Sequence, residues 1–203
     1  VADAADSAAA PLAVDLADFG AETAPASDMM VSIGAIGGVA GGLGGRTQAA
    51  NLATANGGSE ETEKAVDAAL QWFSNHQLPD GGWTCDLREC PTCLGQCSHS
   101  GTSPAADRCS ATAMALLPYL ARGNTHRDGP FQQTVNAGMA YLVKLAVEGK
   151  GRMYRGSGGS LYSQGLGAIA LCECYAMTQD AQLAGPAQLA LNFIMQAQDP
   201  VGG

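Results

Sequence analysis

The residues best suited to chemistry in this chain are concentrated in one long segment, residues 84–106. It contains four cysteines and a histidine: Cys85, Cys90, Cys93, Cys97 and His99. The C-P-T-C run at 90–93 has the C-x-x-C spacing of zinc knuckles, and a further Cys and His can complete four ligands. A loop of this length without secondary structure would be stabilised by a bound metal or a cross-link. The sequence therefore predicts that structural zinc or disulfides hold this loop together.

Other states of the cysteines compete with the zinc knuckle. Two disulfides would staple the loop in an oxidising compartment. A redox-active C-x-x-C lacks its usual βαβ setting here, and the thiols could also remain free. The chain has seven cysteines, so at least one stays unpaired in a monomer. Cys172 and Cys174 point in different directions from one predicted helix, so neither bond nor metal is expected between them, and Cys172 is expected in the core.

The other histidines and the Gly-Ser run have simpler interpretations. His76 is expected to be exposed on an outer helix, and His126 to bond backbone groups near a helix end. The G-S-G-G-S run at 156–160 lacks the Lys-Ser/Thr and the preceding strand of a phosphate loop, so it is interpreted as a linker. No catalytic residue is predicted among these positions.

Apolar residues recur with helical spacing from residue 59 onward, and no stretch alternates with the period of a strand. Helices are predicted at about 59–77, 107–121, 131–147, 161–177 and 185–198, so the fold class is all-α. Residues 1–58 are acidic and rich in Gly and Ala, which favours a disordered tail or linker. The folded domain is predicted at 59–203.

The predicted helices are repeats of two kinds. V-D-A-A-L-Q-W-F at 66–73 aligns with V-N-A-G-M-A-Y-L at 135–142 and with A-Q-L-A-L-N-F-I at 187–194, at offsets of 69 and 121. The intervening helices align at 111–121 and 166–176, an offset of 55. One kind carries an aromatic residue and the other is rich in Ala and Gly. This alternation predicts stacked αα-hairpins, each too thin to bury its own apolar face.

The stretch A-L-Q-W-F-S-N-H-Q-L-P-D-G-G-W, residues 69–83, resembles the QW motif of squalene-cyclase-type repeats. Ala69, Trp72, Gln77, Gly81 and Trp83 fall in register, Phe73 approximates the aliphatic position, and Ala68 replaces the basic residue. Residues 60–203 therefore resemble the prenyltransferase/squalene-oxidase repeat proteins, in particular uncharacterised planctomycete-like bacterial ones. From the residues alone, Gln77, Pro79 and the glycines suit a joint between hairpins rather than a binding site.

The resemblance implies an α/α toroid of the terpenoid cyclase and prenyltransferase class, of which this chain is part. The D-x-D-D acid of squalene-type cyclases is absent from the sequence. Asp107 and Cys109 have the D-x-C spacing of the prenyltransferase zinc, but Gln164 stands where the third ligand would be sought. Asp107 is therefore expected to cap a helix and Cys109 to pack in the core. The resulting expectation is a non-catalytic scaffold or binding module; the alternative is a fragment of an enzyme whose catalytic residues lie outside the chain.

The charge and hydropathy of the sequence limit the kinds of partner that the chain is expected to bind. The chain of 203 residues has a net charge of −9 and no basic stripe, which argues against nucleic-acid binding. The sequence contains no segment of about 20 apolar residues, the length that is needed to span a membrane. A protein partner or an apolar ligand along the inner helices is the expected kind of partner. Because the chain does not begin with Met, the expectation is that an upstream segment, such as a targeting or membrane segment, is missing from it.

The C-terminal stretch F-I-M-Q-A-Q-D-P-V-G-G partly copies the QW stretch and stops one residue before the expected Trp. A toroid of this class needs about twice as many hairpins to close. The chain is therefore expected to be a fragment, and its last helix to present an apolar face without a neighbour.

Overall fold

The computed structural model describes residues 46, 53, 57–93, 96–97, 107–154 and 160–201. This part of the chain contains five α-helices, one short 3-10 helix and no strand, which confirms the all-α class. The predicted tail 1–58 and linker 156–160 lie almost entirely outside the described residues. The helices are α1 Glu60–Asn75, α2 Arg108–Ala121, α3 Gln132–Glu148, α4 Leu161–Thr178 and α5 Ala181–Gln196, with the 3-10 helix at Leu87–Glu89.

Side-chain caps fix where several helices begin. Ser59 and Thr62 form a reciprocal capping box at the start of α1, and Asp107 accepts a hydrogen bond from the backbone N–H of Ser110 at the start of α2. The start predicted for α5, residue 185, is four residues too late. Asp180 caps the helix by accepting from the N–H of Gln182, and Pro186 is accommodated inside it at the loss of one backbone hydrogen bond.

The helices pack in two layers. The Ala- and Gly-rich helices α2 and α4 lie side by side, and α3 and α5 pack against each other and over α2 and α4. Small residues permit the close approach of α2 to α4, since a Cβ added at Gly167 would lie 2.8 Å from Cys109 Sγ. Larger residues such as Leu116, Tyr119 and Leu142 fill the space between the layers. Alternating αα-hairpins are thus present, and closure into a toroid stays a prediction.

The QW stretch forms a joint between α1 and α3. The side-chain amide of Gln77 donates to the carbonyl oxygens of Gly81 and of Thr134 in α3, at 2.8 and 2.9 Å. Gly81 has a φ of 89° and lies so close to α3 that a Cβ would overlap the carbonyl oxygen of Ala137. Only glycine fits both the left-handed backbone and this approach.

Trp83 attaches the same joint to α2. Its indole Nε1 donates to the carbonyl oxygen of Phe73 in α1 at 2.8 Å, and its backbone N–H donates to Thr112 Oγ1 in α2 at 3.0 Å. The ring is buried beneath α3, since a Cβ at Gly138 would meet it at 2.8 Å. The motif therefore connects three helices and leaves neither Gln77 nor Trp83 in an open cavity.

A second joint follows α3 and uses different side chains. Gly151, with a φ of 99°, lies against the carbonyl oxygen of Leu189 in α5 as Gly81 lies against Ala137. Gln164, fully buried in α4, donates to the carbonyl oxygens of Gly151 and Ala190 and accepts from the N–H of Met153. Gln164 therefore holds the second joint, although its position matches that of a third prenyltransferase-like zinc ligand.

The two joints define the repeat offset. Thr112 and Gln164 both accept from the backbone N–H of the buried residue two positions after the joint glycine, so these inner positions correspond at an offset of 52 residues. Ala137 and Leu189 in the outer helices have the same offset. The predicted inner alignment, with an offset of 55, differs from this by about one helical turn because small residues fill both registers.

The last helix leaves much of its apolar surface accessible. Four residues of α5 are buried, and Leu189 and Met195 are exposed, Met195 by 55%.

Candidate metal centre

His76, Cys90 and Cys93 form a group that could hold a metal ion. Their ligand atoms all lie within 4.8 Å of one another. The sulfur of Cys97 lies 3.3 Å from His76 Nε2, so a fourth donor borders the group. His76 and Cys90 are buried, 6% and 5% exposed, while Cys93 and Cys97 are half-buried. One imidazole and three thiols match the Cys₃His donor set of structural zinc sites.

Local contacts fix the orientation of the His76 imidazole. His76 caps the C-terminus of α1, and its Nδ1 lies 2.6 Å from the carbonyl oxygen of Trp72. A carbonyl oxygen can only accept, so Nδ1 carries the proton and Nε2 presents its lone pair to the sulfurs. The ring also stacks on the indole of Trp72, with centroids 3.8 Å apart. Such a second-shell hydrogen bond is a usual partner of metal-bound histidine.

The segment before the C-x-x-C pair has local structure of its own. Asp86 caps the 3-10 helix Leu87–Glu89 by accepting from the N–H of Arg88, and its carboxylate also binds the guanidinium of Arg88. The N–H of Cys90 closes the turn on the carbonyl of Leu87 at 3.2 Å. These bonds give the segment a defined backbone conformation up to Cys90.

Two further contacts attach the C-x-x-C pair to α1. Thr92 Oγ1 donates to the carbonyl oxygen of Asn75, the last residue of α1, and the thiol of Cys90 donates to the same oxygen at 3.8 Å. The carbonyl of Cys93 accepts from the N–H of Gln96, which turns the chain back toward Cys97. The loop is therefore held against the helix end that carries His76.

The pKa values of Cys90 and Cys97 are shifted in opposite directions. Burial acts to raise the pKa of the Cys90 thiol, but hydrogen bonds from Thr92 and Cys93 outweigh it and bring the pKa to about 7. Desolvation and the neighbouring Cys93 raise the pKa of Cys97. A thiolate at Cys90 near neutral pH is the form that binds a metal cation, and the positive charge of the cation would favour deprotonation of the others.

The predicted ligand set is only partly the one that the structure brings together. Cys90, Cys93 and Cys97 meet at one place, whereas Cys85 is exposed and outside the group, and His99 lies outside the described residues. The prediction that His76 is exposed is wrong. The available signal was its position: His76 ends the helix directly before the cysteine loop and lies one turn after Trp72, where the loop can fold back on it.

The Asp107–Cys109 pair has a structural role. Asp107 caps α2, and its carboxylate accepts hydrogen bonds from Ser110 at 2.9 Å and from Ser163 of α4. Cys109 is buried and donates to the carbonyl of Ser163. Desolvation, reinforced by the negative charge of Asp107, raises the pKa of Cys109 to about 12, so the thiol stays protonated. The pair joins α2 to α4.

His126 links two helices through side chains rather than through backbone groups as predicted. Its Nδ1 lies 3.2 Å from Cys174 Sγ and its Nε2 lies 2.7 Å from Asp180 Oδ2. Arg127 adds a second contact to Asp180 at 3.0 Å. Burial raises the pKa of Cys174 to about 11, so this Cys–His–Asp arrangement holds an inaccessible neutral thiol. Cys172, predicted to be in the core, is half-buried instead.

No protein-family model, curated protein or solved structure matches this chain. In the part of the chain that the structure describes, every helix is too short or too polar to cross a bilayer.

Proposed function

We propose that this chain is a zinc-stabilised helical repeat domain that serves as a non-catalytic scaffold or binding module. The observation that carries the proposal is the orientation of His76. With Nδ1 committed to the Trp72 carbonyl, Nε2 faces the Cys97 sulfur at 3.3 Å, and the ligand atoms of His76, Cys90 and Cys93 lie within 4.8 Å of one another. A metal centre needs an imidazole whose second nitrogen is held in this way, whereas a loop held by disulfides does not require it.

The donor set favours zinc over other divalent cations. Thiolates and imidazole are soft or borderline ligands, which suit Zn²⁺, whereas Mg²⁺ and Ca²⁺ require oxygen ligands. Four protein ligands would complete a tetrahedron around the ion and leave no position for water or substrate. The proposed zinc is therefore structural: it fastens the cysteine loop to the C-terminal end of α1.

The resemblance to QW-motif repeat proteins agrees with a scaffold role. Gln77, Gly81 and Trp83 form a joint between helices, which is the role proposed for them from the sequence. The pair Asp107 and Cys109 caps and packs α2, and Gln164 is fully occupied by three backbone groups. The residues that could have formed a prenyltransferase-like centre are thus committed to the fold.

Metal analysis of the purified chain tests the proposal. After reconstitution with one equivalent of Zn²⁺ and removal of excess, we expect one zinc per chain by plasma mass spectrometry. Cys90, Cys93 and Cys97 should resist alkylation until a chelator is added, while Cys85 reacts throughout, as mass spectrometry of labelled peptides will show. Co²⁺ in place of zinc should give the intense visible absorption of tetrahedral thiolate coordination.

Matched variants separate the proposed ligands from their neighbours. His76→Ala removes a direct ligand and should weaken zinc binding by more than the roughly 10–100-fold that second-shell changes cost. Cys85→Ser should leave the zinc content and affinity unchanged. Zinc bound only at sub-stoichiometric levels, or disulfides among the three cysteines in the zinc-reconstituted protein, would overturn the proposal.

A further inference from the structure

Helices α2 and α4 share an accessible apolar surface on the side away from α3 and α5. On α2 it consists of positions spaced as one helical stripe, and on α4 of a second stripe with the same spacing. Met114 and Ile169 are its most prominent aliphatic residues, 40% and 48% exposed. We call this surface the inner face; its members are Met114, Leu117, Pro118, Ala121, Tyr162, Leu166, Ile169, Cys172, Glu173 and Ala176.

A single carboxylate interrupts the inner face, and its partner comes from far away in the sequence. Glu173 is the one charged member of this set. Its Oε2 lies 2.6 Å from a guanidinium nitrogen of Arg46, and both side chains are only about a quarter exposed, 23% and 25%. The ion pair thus places residue 46 of the chain on the inner face, one helical turn from Ile169.

The sequence directly before Arg46 is unusually apolar. Residues 29–45, M-M-V-S-I-G-A-I-G-G-V-A-G-G-L-G-G, contain no charged residue and end immediately at the anchored arginine. An extended chain of this length reaches up to about 56 Å, whereas α4 is about 27 Å long, so the segment can follow the whole face. Its glycines would let the backbone approach the helices closely, and Ile33, Ile36, Val39 and Leu43 can supply apolar contacts.

We propose that the segment Met29–Gly45 covers the inner face of its own chain, anchored there by the Arg46–Glu173 ion pair. Anchoring at one end makes the contact intramolecular, so the local concentration of the segment exceeds that of any free apolar ligand at ordinary concentrations. The covered face is shielded from association with other molecules. A partner or apolar ligand for α2 and α4 must displace this segment, which therefore acts as a built-in competitor. The proposal does not depend on the metal centre.

Site-specific photo-crosslinking in the full-length chain tests the contact. Ile169 is replaced by p-benzoylphenylalanine, the protein is irradiated at low concentration, and crosslinked peptides are identified by mass spectrometry. We expect crosslinks within one molecule to residues 29–45. The matched control places the same group at Val147, an exposed apolar position on α3, where crosslinks to this segment should be absent. Crosslinks from position 169 to a second copy, or to other parts of the chain only, would overturn the proposal.

Charge reversal tests the anchor separately. Arg46→Glu faces Glu173 with a like charge, and the crosslink yield should fall about five-fold, the effect expected for losing a partly exposed ion pair. The double variant Arg46→Glu with Glu173→Arg restores opposite charges and should restore the yield. An unchanged yield in the single variant would show that the ion pair does not position the segment. Circular dichroism of each variant confirms that the helices are intact.

Discussion

Gln164 makes from an inner helix the same pair of hydrogen bonds that Gln77 makes from the end of an outer helix. Each side-chain amide donates to the carbonyl of a joint glycine at 2.8 Å and to a carbonyl of the next outer helix, Ala190 for Gln164 and Thr134 for Gln77. The two repeats therefore preserve the contact and not the sequence position. A search for a second QW motif misses the second joint for this reason.

The two glutamines should differ in their contribution to stability. Gln164 is fully buried, and Gln164→Met leaves the Met153 N–H and the Gly151 carbonyl without partners, which should cost about 3 kcal/mol. Gln77 is half-buried, so water can replace its contacts and Gln77→Met should cost about 1 kcal/mol. Urea unfolding followed by circular dichroism measures both. The exposed Gln133→Met serves as a control, and equal losses for Gln77 and Gln164 would contradict the assignment.

The joint glycines should tolerate no side chain. Gly81 and Gly151 have φ values of 89° and 99°, and a Cβ at either would overlap a carbonyl oxygen of the next outer helix. We expect Gly81→Ala and Gly151→Ala each to destabilise the domain by about 3 kcal/mol or more. Gly165 in α4 has open space around it and is not followed by a proline, so Gly165→Ala should stabilise by about 1 kcal/mol. A comparable loss at Gly165 would show that steric overlap is not the cause.

The sequence predicted those parts of the fold that depend on neighbouring residues. Helical spacing and Gln77, Gly81 and Trp83 locate the helices and the first joint, because each forms its contacts within one hairpin or with the next. Gln164 could not be assigned, since its partners lie on α5 and in the loop after α3. A buried glutamine and a zinc-ligand position look alike until those partners are known.

The metal centre shows the same limit. The spacing of Cys90, Cys93 and Cys97 indicates a ligand group because the turn between them is short. The histidine nearest in sequence, His99, was the natural candidate, but the imidazole found beside the sulfurs is that of His76. His76 lies beside the sulfurs because the loop folds back onto the end of α1, where Cys90 contacts the carbonyl oxygen of Asn75. No local sequence pattern predicts this contact.

The cysteines should fall into separate reactivity classes. Desolvation is the main reason that the pKa values of Cys109 and Cys174 rise to about 12 and about 11, and both side chains are buried. At pH 7 the Cys174 thiol therefore stays protonated, whereas Cys85 is exposed. Iodoacetamide labelling of the folded protein should modify Cys85 rapidly and leave Cys109 and Cys174 unmodified until urea unfolds the chain. Labelling of Cys174 at the rate of Cys85 would contradict the buried position of Cys174 in α4.

The ion pair between Asp80 and Arg108 should make stability depend on pH in one direction. Arg108 donates to both carboxylate oxygens, at 2.5 and 2.6 Å, and lies 4.8 Å above the ring of Tyr141. These hydrogen bonds hold the pKa of Asp80 below its usual value, although partial burial opposes the shift. Because the pKa of Asp80 is lowered in the folded state, the ion pair stabilises the fold fully above the ordinary pKa of about 4. This stabilisation is lost as the pH falls through the lowered pKa.

Asp80→Asn should therefore lower the free energy of unfolding at pH 7 by up to about 1 kcal/mol, a value limited by the exposure of the carboxylate. The difference from the wild-type protein should vanish as the pH is lowered through the range where Asp80 becomes protonated, because both proteins then carry a neutral group at position 80. Urea unfolding at a series of pH values measures the difference. Asp128→Asn, at an exposed carboxylate, is the matched control and should change stability little at any of these pH values. A difference at Asp80 that persists unchanged in acid would show that the variant acts through packing and not through charge.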